Sequence, residues 1–334
     1  MPAVSVLVPC YNVEKYIRQC MDSIVNQTLT DMEIICLNDG STDGTLAILQ
    51  EYSAKDSRVR IIDKPNSGYG DSMNKGLEAA TGEYIGIVES DDWAEADMFE
   101  ALYKLAKEHD CDLVKSNFYD YRGGKSTQNE IIPVEDADQL ITPRNRFAIF
   151  WEASFIWTGL YKSDWLDRHG IRFLPTPGAS YQDVGFNFKT LACAERAWFT
   201  RRAFLHYRRD NENSSVKSTA KVWSVCDEHH EIERFLVEHK QLTPLVPVAM
   251  RMKYQSCYWN FRRLSMPVDR EFCYEVAKEF RNDFSSGRVE EKLFKPKHYR
   301  RLRRWAFHPW LFLLDELFSS NGRKKLMQAL RGGK

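Results

Sequence analysis

The sequence predicts an α/β fold: a mainly parallel sheet with flanking helices, followed by a helical C-terminal extension. Two observations carry the first part. β-Rich runs begin near Val4, Met32, Val59, Tyr84 and Asp112, and a stretch of helical periodicity separates each from the next. A third carries the extension, since helical periodicity dominates from Lys221 onward. The opening strand is Val4-Ser5-Val6-Leu7-Val8. In the helix after it Ile17, Cys20, Met21, Ile24 and Val25 form one buried stripe, with Asn12 as its candidate cap. Helices are expected again near 44–53, 71–80 and 98–109, and Gly82 is the expected helix stop before the fourth strand, Tyr84-Ile85-Gly86-Ile87-Val88. After Asn117 the rhythm changes. Gly123-Gly124 reads as a turn, and the region to about Ala220 mixes short strands, helices and aromatics such as Trp151, Trp157, Tyr161, Trp165, Tyr181 and Trp198. Further helices are expected around Trp223–Val237 and Met252–Leu264. No internal repeat is visible.

At 334 residues the chain is long enough for one large domain or two smaller ones. Lys plus Arg and Asp plus Glu both number 47, so composition lends no support to nucleic acid as a partner. The eight cysteines form no Cys-x-x-Cys pair, and several lie on apolar faces where a thiol behaves as a small hydrophobe, so a reducing compartment is expected. No signal peptide is expected before the first strand, and the apolar stretch Trp305 to Leu314 is too short to span a bilayer. The expected location is the cytoplasm, free or on the inner face of the cell membrane.

The chemistry concentrates at strand ends. Glu89-Ser90-Asp91-Asp92 follows the fourth strand, and carboxylates this close resist joint ionisation unless a cation is bound. Hard oxygen ligands suit Mg²⁺ or Mn²⁺, which leave coordination positions open for substrate phosphates; Asp91 and Asp92 are the candidate ligands. The plainer reading is a strand ending in solvated acids. In a parallel sheet ligands bind outside the carboxyl ends of the strands, so this loop belongs with three others. They are Pro9-Cys10-Tyr11-Asn12, Asn38-Asp39-Gly40-Ser41-Thr42-Asp43 and Lys64-Pro65-Asn66-Ser67-Gly68. Tyr11 can face a base, Asp39 can accept from a nucleobase N–H, and Gly40 and Gly44 can let backbone pass close to a ligand. Singly, Asn38-Asp39-Gly40 is also an ordinary turn. The first loop lacks Gly-x-Gly-x-x-Gly, which argues against a dinucleotide dehydrogenase. It also lacks the glycines and cation of a sugar nucleotidyltransferase.

In order and separation, these four loops resemble those of the inverting GT-A glycosyltransferases of family two, over roughly residues 3 to 215. The resemblance implies a Rossmann-like GT-A domain over 1–220, with a nucleotide-binding half (1–116) and an acceptor-binding half (117–220), and a helical region over 221–334. It implies a nucleotide site from Pro9, Tyr11, Asn12, Asp39, Ser41, Asn66, Glu89, Ser90 and Arg208. Asp39 would hold the uracil ring, Glu89 the ribose or a metal-bound water, and Asp91 or Asp92 the metal. Ser180-Tyr181-Gln182-Asp183-Val184 is similar to the family's Glu-Asp element, in which the Asp is the catalytic base. An inverting transfer needs a positioned carboxylate to remove the acceptor proton, and Asp183 is that candidate. Read without the resemblance, Asp183 is a first-turn acid favoured by the helix dipole. The stretch His206 to Ser215 resembles the family's Tyr-Arg then Ser element, in which Arg208 would pair with phosphate oxygens.

Trp157, Gln182 and His206 are candidates for contact with donor or acceptor sugar. Trp157 reads equally as core, and His206 as a packed histidine rather than a metal ligand. Three positions depart from the family pattern: Glu89 for Asp, Gln182 for Glu, and Met73 for Arg, with Lys75 a candidate replacement for that last cation. The implied activity is metal-dependent transfer of a hexose or N-acetylhexosamine from a UDP-sugar to a glycan acceptor, in surface polysaccharide or lipid-linked glycan synthesis. The alternative is a catalytically silent relative that binds a nucleotide or glycan as a scaffold.

Between Lys292 and Lys334 twelve Lys and Arg face only Asp315 and Glu316. Lys297 to Trp305, then Phe307, Trp310, Leu311, Phe312 and Leu314, combine cations with large apolar side chains, as a helix lying in a membrane interface does. Peripheral membrane contact through 297–314 is the expectation. The other reading docks this helix on the protein's own aromatic surface.

Overall fold

β1 (Val4–Cys10) and β2 (Met32–Asp39) are buried at every position, as strands covered on both faces must be. A computed structural model describes residues 1–152, 154–211, 221–265 and 268–318. The remaining strands are β3 (Val59–Lys64), β4 (Tyr84–Ile87), β5 (Trp93–Ala94), β6 (Leu113–Arg122), β7 (Lys125–Asn129), β8 (Leu140–Ile141), β9 (Gly159–Lys162) and β10 (Ala197–Arg208). The sheet order is β3-β2-β1-β4-β9-β6-β10-β5, with β7 on β6 and β8 on β10. β3, β2, β1 and β4 run parallel, as do β6 and β10. β9 lies antiparallel between β4 and β6, which ends the simple βα rhythm where the sequence changes character. The helices of this unit are α1 (Ile17–Val25), α2 (Thr45–Lys55), α3 (Tyr69–Ala79), α4 (Met98–Glu108), α5 (Ile149–Glu152), α6 (Ser163–Arg168) and α7 (Gln182–Cys193).

Two local expectations are corrected. Asn12 does not cap α1, whose N-terminal neighbour is Tyr16 with no side-chain cap. Gly82 is not a helix terminator, because α3 has already ended at Ala79; a Cβ on Gly82 would lie 2.5 Å from the Ser5 nitrogen, so the glycine serves a close approach to β1. Gly123 and Gly124, at φ 56° and 83°, form the expected turn, between β6 and β7. The eight cysteines are free and buried, and burial pushes the Cys36 thiol up to about 12.

Contacts divide the chain into two units, Met1–Lys217 and Ser218–Lys334. The second contains α8 (Ser224–Glu238), α9 (Val246–Arg263), α10 (Val268–Ser285), α11 (Pro296–Phe307) and α12 (Pro309–Phe318). Trp305 is its anchor: the ring stacks on Phe312 at 4.4 Å, and Nε1 donates to the Cys273 carbonyl at 2.9 Å. The two readings of the tail therefore divide by face. Leu302, Trp305, Ala306 and Phe312 are buried, while Phe307, Trp310, Leu314, Leu317 and Phe318 are exposed. Among the described residues no helix is long and apolar enough to cross a membrane.

Lys253, on α9, is buried among Glu233 at 3.1 Å, Glu279 at 2.9 Å and Asp283 at 3.1 Å. Burial opposes the Glu279 charge, but a hydrogen bond from His230 and the Lys253 ammonium outweigh it and bring the carboxyl down to about 2. Glu233 moves down in the same way, against burial, through Lys253 and Arg288. Asp283 moves up, because its desolvation exceeds the help of its two cations. Depressed carboxyls stabilise the fold above their unfolded pKa and lose that contribution as pH falls through the folded value. Denaturant titrations should therefore show stability falling from about pH 4.5 toward pH 2. Lys253→Met, which strands buried carboxylates, should cost about 3–5 kcal/mol at neutral pH.

Candidate functional site

Parallel β1, β2 and β4 bring their carboxyl ends to one edge of the sheet, and the loops that follow are tied to one another. The Asn12 N–H donates to Ser41 Oγ at 3.1 Å, and the Thr42 N–H donates to Asn12 Oδ1 at 2.8 Å. Asn12 holds φ 53°, a conformation Asn tolerates better than most residues. Gly40, at φ 68°, would place a Cβ 2.8 Å from the Asn66 nitrogen, so its freedom serves loop-on-loop packing rather than ligand approach. Gly44 is similar: its N–H donates to Glu14 Oε2 at 2.7 Å, and a Cβ there would meet that oxygen at 2.9 Å. Asp39 accepts from the Ser67 N–H at 2.9 Å and the Gly68 N–H at 3.0 Å, and pairs with the buried Lys64 ammonium. Its carboxylate thus organises the 64–68 loop. Pro9 is buried, while Tyr11 is 51 % exposed and Asn66 is exposed at the same edge.

The loop after β4 separates its acids. Ser90 is buried. Asp92 is 1 % exposed; its Oδ1 accepts from the Arg208 N–H at 2.8 Å, and its Oδ2 has no hydrogen-bond partner. Asp91 is partly exposed, with Oδ2 accepting from Asn211 Nδ2 at 2.8 Å. Glu89 Oε1 accepts from the Tyr69 hydroxyl at 2.7 Å. Burial pushes the Glu89 carboxyl up to about 8, with Asp91 and Asp183 adding to it and the Tyr69 hydrogen bond opposing. Asp92 is raised by burial and then by Asp91 and Glu89, against the Arg208 N–H.

Arg208 is engaged by the protein itself. Its Nε donates to the Asp91 carbonyl at 2.9 Å and its guanidinium reaches Gln19 Oε1 at 2.5 Å. Tyr16, Trp93 and Tyr121 surround it at 5.0, 4.9 and 5.1 Å. It holds the acidic loop in place, a role that long-range packing assigns and its dipeptide context does not reveal.

Asp183 reaches this edge through a loop laid across α3. A Cβ on Gly70 would sit 2.1 Å from the Leu174 carbonyl, and the Tyr69 N–H donates to the Gly178 carbonyl at 3.0 Å. Gln182, 2 % exposed, pins the same loop: Nε2 donates to Thr176 Oγ1 at 2.8 Å and to the Gly178 carbonyl at 3.1 Å. It is a loop lock and does not face a sugar. Tyr181 adopts φ 65° just before α7, a strained conformation for a bulky residue, and it starts the helix so that Asp183 falls in the first turn. Asp183 is exposed to solvent, yet protein surrounds the carboxyl closely enough for desolvation to raise it. The N–H groups of Asp183 and Val184, then Lys115, pull the other way. The Asp183 charge in turn raises Glu89, Tyr69 and Tyr207, so α7 and the loop after β4 face one another.

Other candidates move out of the site. His206 lies between Trp93 and Tyr119 at 4.8 and 4.6 Å, with Nδ1 on Ser126 and Nε2 on Glu95, so neither ring nitrogen is left for a ligand. Trp157 is 6 % exposed and packs on Phe118, Phe155 and Tyr207, as core. Met73 is fully buried, and Lys75 pairs with Asp71 at 2.6 Å. Sequence reasoning missed Tyr69 and the buried Lys115. The one signal for Lys115 was a lysine inside an apolar strand.

Among the described residues no three His, Cys, Asp or Glu side chains are grouped to hold a metal by themselves. The acids still fit a divalent ion of the kind that takes one or two carboxylates and completes its shell with phosphates and water. The fit lies in the charge: Asp91 opposes ionisation of both Glu89 and Asp92, Glu89 adds to it at Asp92, and Asp92 Oδ2 is unpartnered.

The sequence profile described as Glycosyl transferase family 2 matches residues 5–160. "Uncharacterized glycosyltransferase EpsJ" of Bacillus subtilis is 31% identical over 236 residues, 69% of this chain and 67% of that relative. "Putative glycosyltransferase EpsH" of the same organism is 36% identical over 214 residues, 62% of this chain and 61% of the relative. The chain thus spans about two thirds of the length of both. A crystal structure of S. aureus TarS 1–349 in complex with UDP-GlcNAc superposes with a TM-score of 0.56 at 18% identity, covering 91% of each chain, and shares the fold. With its mainly parallel sheet and its acidic edge, this chain belongs to glycosyl transferase family 2.

Proposed function

We propose that the protein moves a hexose or N-acetylhexosamine from a UDP-sugar to a glycan hydroxyl with inversion, in surface polysaccharide or lipid-linked glycan synthesis. The observation that supports this reading is the bridge made by Tyr69, whose N–H donates to the Gly178 carbonyl in the loop before Asp183 and whose hydroxyl donates to Glu89 in the acidic loop. UDP-GlcNAc bound to TarS supports the choice of nucleotide. In this scheme the acceptor hydroxyl gives its proton to Asp183 as it attacks the anomeric carbon from the face opposite the diphosphate. Tyr11 and Asn66 offer the exposed surface for the nucleoside, while Pro9, Asn12, Asp39, Ser41 and Ser90 shape the loops around it. Glu89 faces the ribose side, oriented by Tyr69. Asp91 is the residue that would hold Mg²⁺ or Mn²⁺, and the buried Asp92 supports its loop. When bound, such an ion supplies positive charge to the departing diphosphate.

Isothermal titration with UDP, with and without Mn²⁺, tests the site, and no binding with metal present would remove it. The scaffold reading draws on Asp39, whose carboxylate is already engaged by the 64–68 loop. Metal-dependent release of UDP from UDP-GlcNAc would exclude a silent relative.

The exposed side chains Trp310, Leu314, Leu317 and Phe318 share one face of α12, and Lys297, Arg300 and Arg303 are exposed on α11. That pairing of apolar face and cations suits an anionic membrane surface, each basic group near it adding about 1 kcal/mol. Deleting 297–334 would remove the buried Trp305 and Phe312, so the cleaner test is Trp310→Ser with Leu314→Ser. Wild type should sediment with vesicles rich in phosphatidylglycerol and not with phosphatidylcholine alone, and the double variant should stay in the supernatant. Equal sedimentation of the two proteins, or loss of a dimer by the variant without vesicles, would defeat membrane docking.

A further inference from the structure

Lys115 is the buried charge that the proposed chemistry leaves unexplained. It sits on β6 with no exposed surface, and its ammonium donates to Asn187 Oδ1 at 2.7 Å. Asn187, also fully buried, is one turn beyond Asp183 on α7, so the two share a helix face. Space for the lysine stem comes from the neighbouring strand: Gly159 pairs with Lys115, and a Cβ on that glycine would lie 3.2 Å from Lys115 Cγ. The groups that couple to Asp183 include Tyr69 from α3, Glu89 from the loop after β4, Tyr207 from β10 and Lys115 from β6. Lys115 is the cation of that set.

We propose that Lys115 is a positioning residue for Asp183: it anchors α7 through Asn187 and so sets a positive charge one helical turn from the Asp183 carboxylate. The inference rests on Asp183 being the base. A buried ammonium is costly unless an anion or a hydrogen-bond acceptor is there to meet it. Burial brings Lys115 down to about 7, with Asp183 pulling it upward. Burial raises Asp183, with its backbone donors and Lys115 opposing. Each charge therefore supports the other in a desolvated setting. A lysine serving packing alone would leave the Asp183 titration unmoved when replaced by an uncharged residue.

The test uses the full chain labelled with ¹³C at aspartate carboxyls, the Asp183 signal being the one absent from Asp183→Asn. In Lys115→Gln, which keeps a donor toward Asn187, the Asp183 midpoint should rise by about 1 pH unit or more. Lys115→Arg should restore it. The acid limb of UDP-GlcNAc turnover should move by the same amount, with KM for the donor within about twofold of wild type. Should Lys115→Gln fail to fold, reciprocity gives a second readout: Asp183→Asn should lower the Lys115 midpoint, followed by lysine ¹³Cε shifts. An Asp183 midpoint unchanged in Lys115→Gln, or a Lys115 midpoint unchanged in Asp183→Asn, overturns the inference. An Asp183→Asn variant with wild-type turnover overturns the base assignment and this inference with it. An inactive Asp183→Asn beside an unshifted Lys115→Gln overturns this inference alone.

Discussion

Asp183→Asn should lower sugar transfer by about 10²- to 10⁴-fold while leaving UDP affinity near that of the wild type. The amide keeps the size and the place in the first turn of α7 but cannot accept the acceptor proton. The wild-type profile has a defined sign. Desolvation raises Asp183 above its ordinary value, so the active, ionised form fills in as pH rises, and the acid limb of kcat/KM should lie above the usual aspartate range. Removing the carboxyl should flatten that limb. Steady-state rates of UDP release across pH, with calorimetric UDP affinity beside them, check both points. Retained turnover in Asp183→Asn would return the residue to a first-turn acid that merely complements the helix dipole.

Asp91→Asn should weaken Mn²⁺-dependent UDP binding by about 100-fold, at the upper end of what perturbing a metal's surroundings costs. Asp92→Asn should behave differently. Asp92 is buried and receives the Arg208 N–H, so its substitution should act on the loop's stability and leave the metal dependence in place. Asp91 is partly exposed, and its Oδ2 accepts from Asn211 Nδ2 at 2.8 Å. Titrating both variants with UDP across Mn²⁺ concentrations separates the two roles. Equal metal dependence in Asp91→Asn and wild type would remove Asp91 as the ion's holder.

Much of the sheet was legible because its signals are local. Apolar runs at Val4, Met32, Val59 and Tyr84 begin strands at or beside the expected residues, and the fifth near Asp112 begins at Leu113. The acidic loop was legible too, since three carboxylates at a strand end need no tertiary context to be unusual. The surroundings of Arg208, Trp157, Gln182 and His206 were not legible, for the opposite reason. What a guanidinium, an indole, an amide or an imidazole does depends on which distant groups reach it. Arg208 meets Gln19 and Asp91, and His206 meets Glu95 and Ser126, across separations that one-dimensional spacing cannot encode. The glycines gave the same lesson. Gly40 signalled a close approach and Gly82 a helix stop, but only the fold shows that each meets the protein's own backbone.

By itself, the sequence determined the parallel sheet and the set of loops that gather at its edge, because hydrophobic periodicity and chain order are written residue by residue. Tertiary structure alone decided which acid of Asp91 and Asp92 stays accessible, what Arg208 holds, and that Lys115 anchors the helix that carries Asp183. Burial and charge coupling are properties of neighbours in space, and those neighbours exist only once the chain has closed.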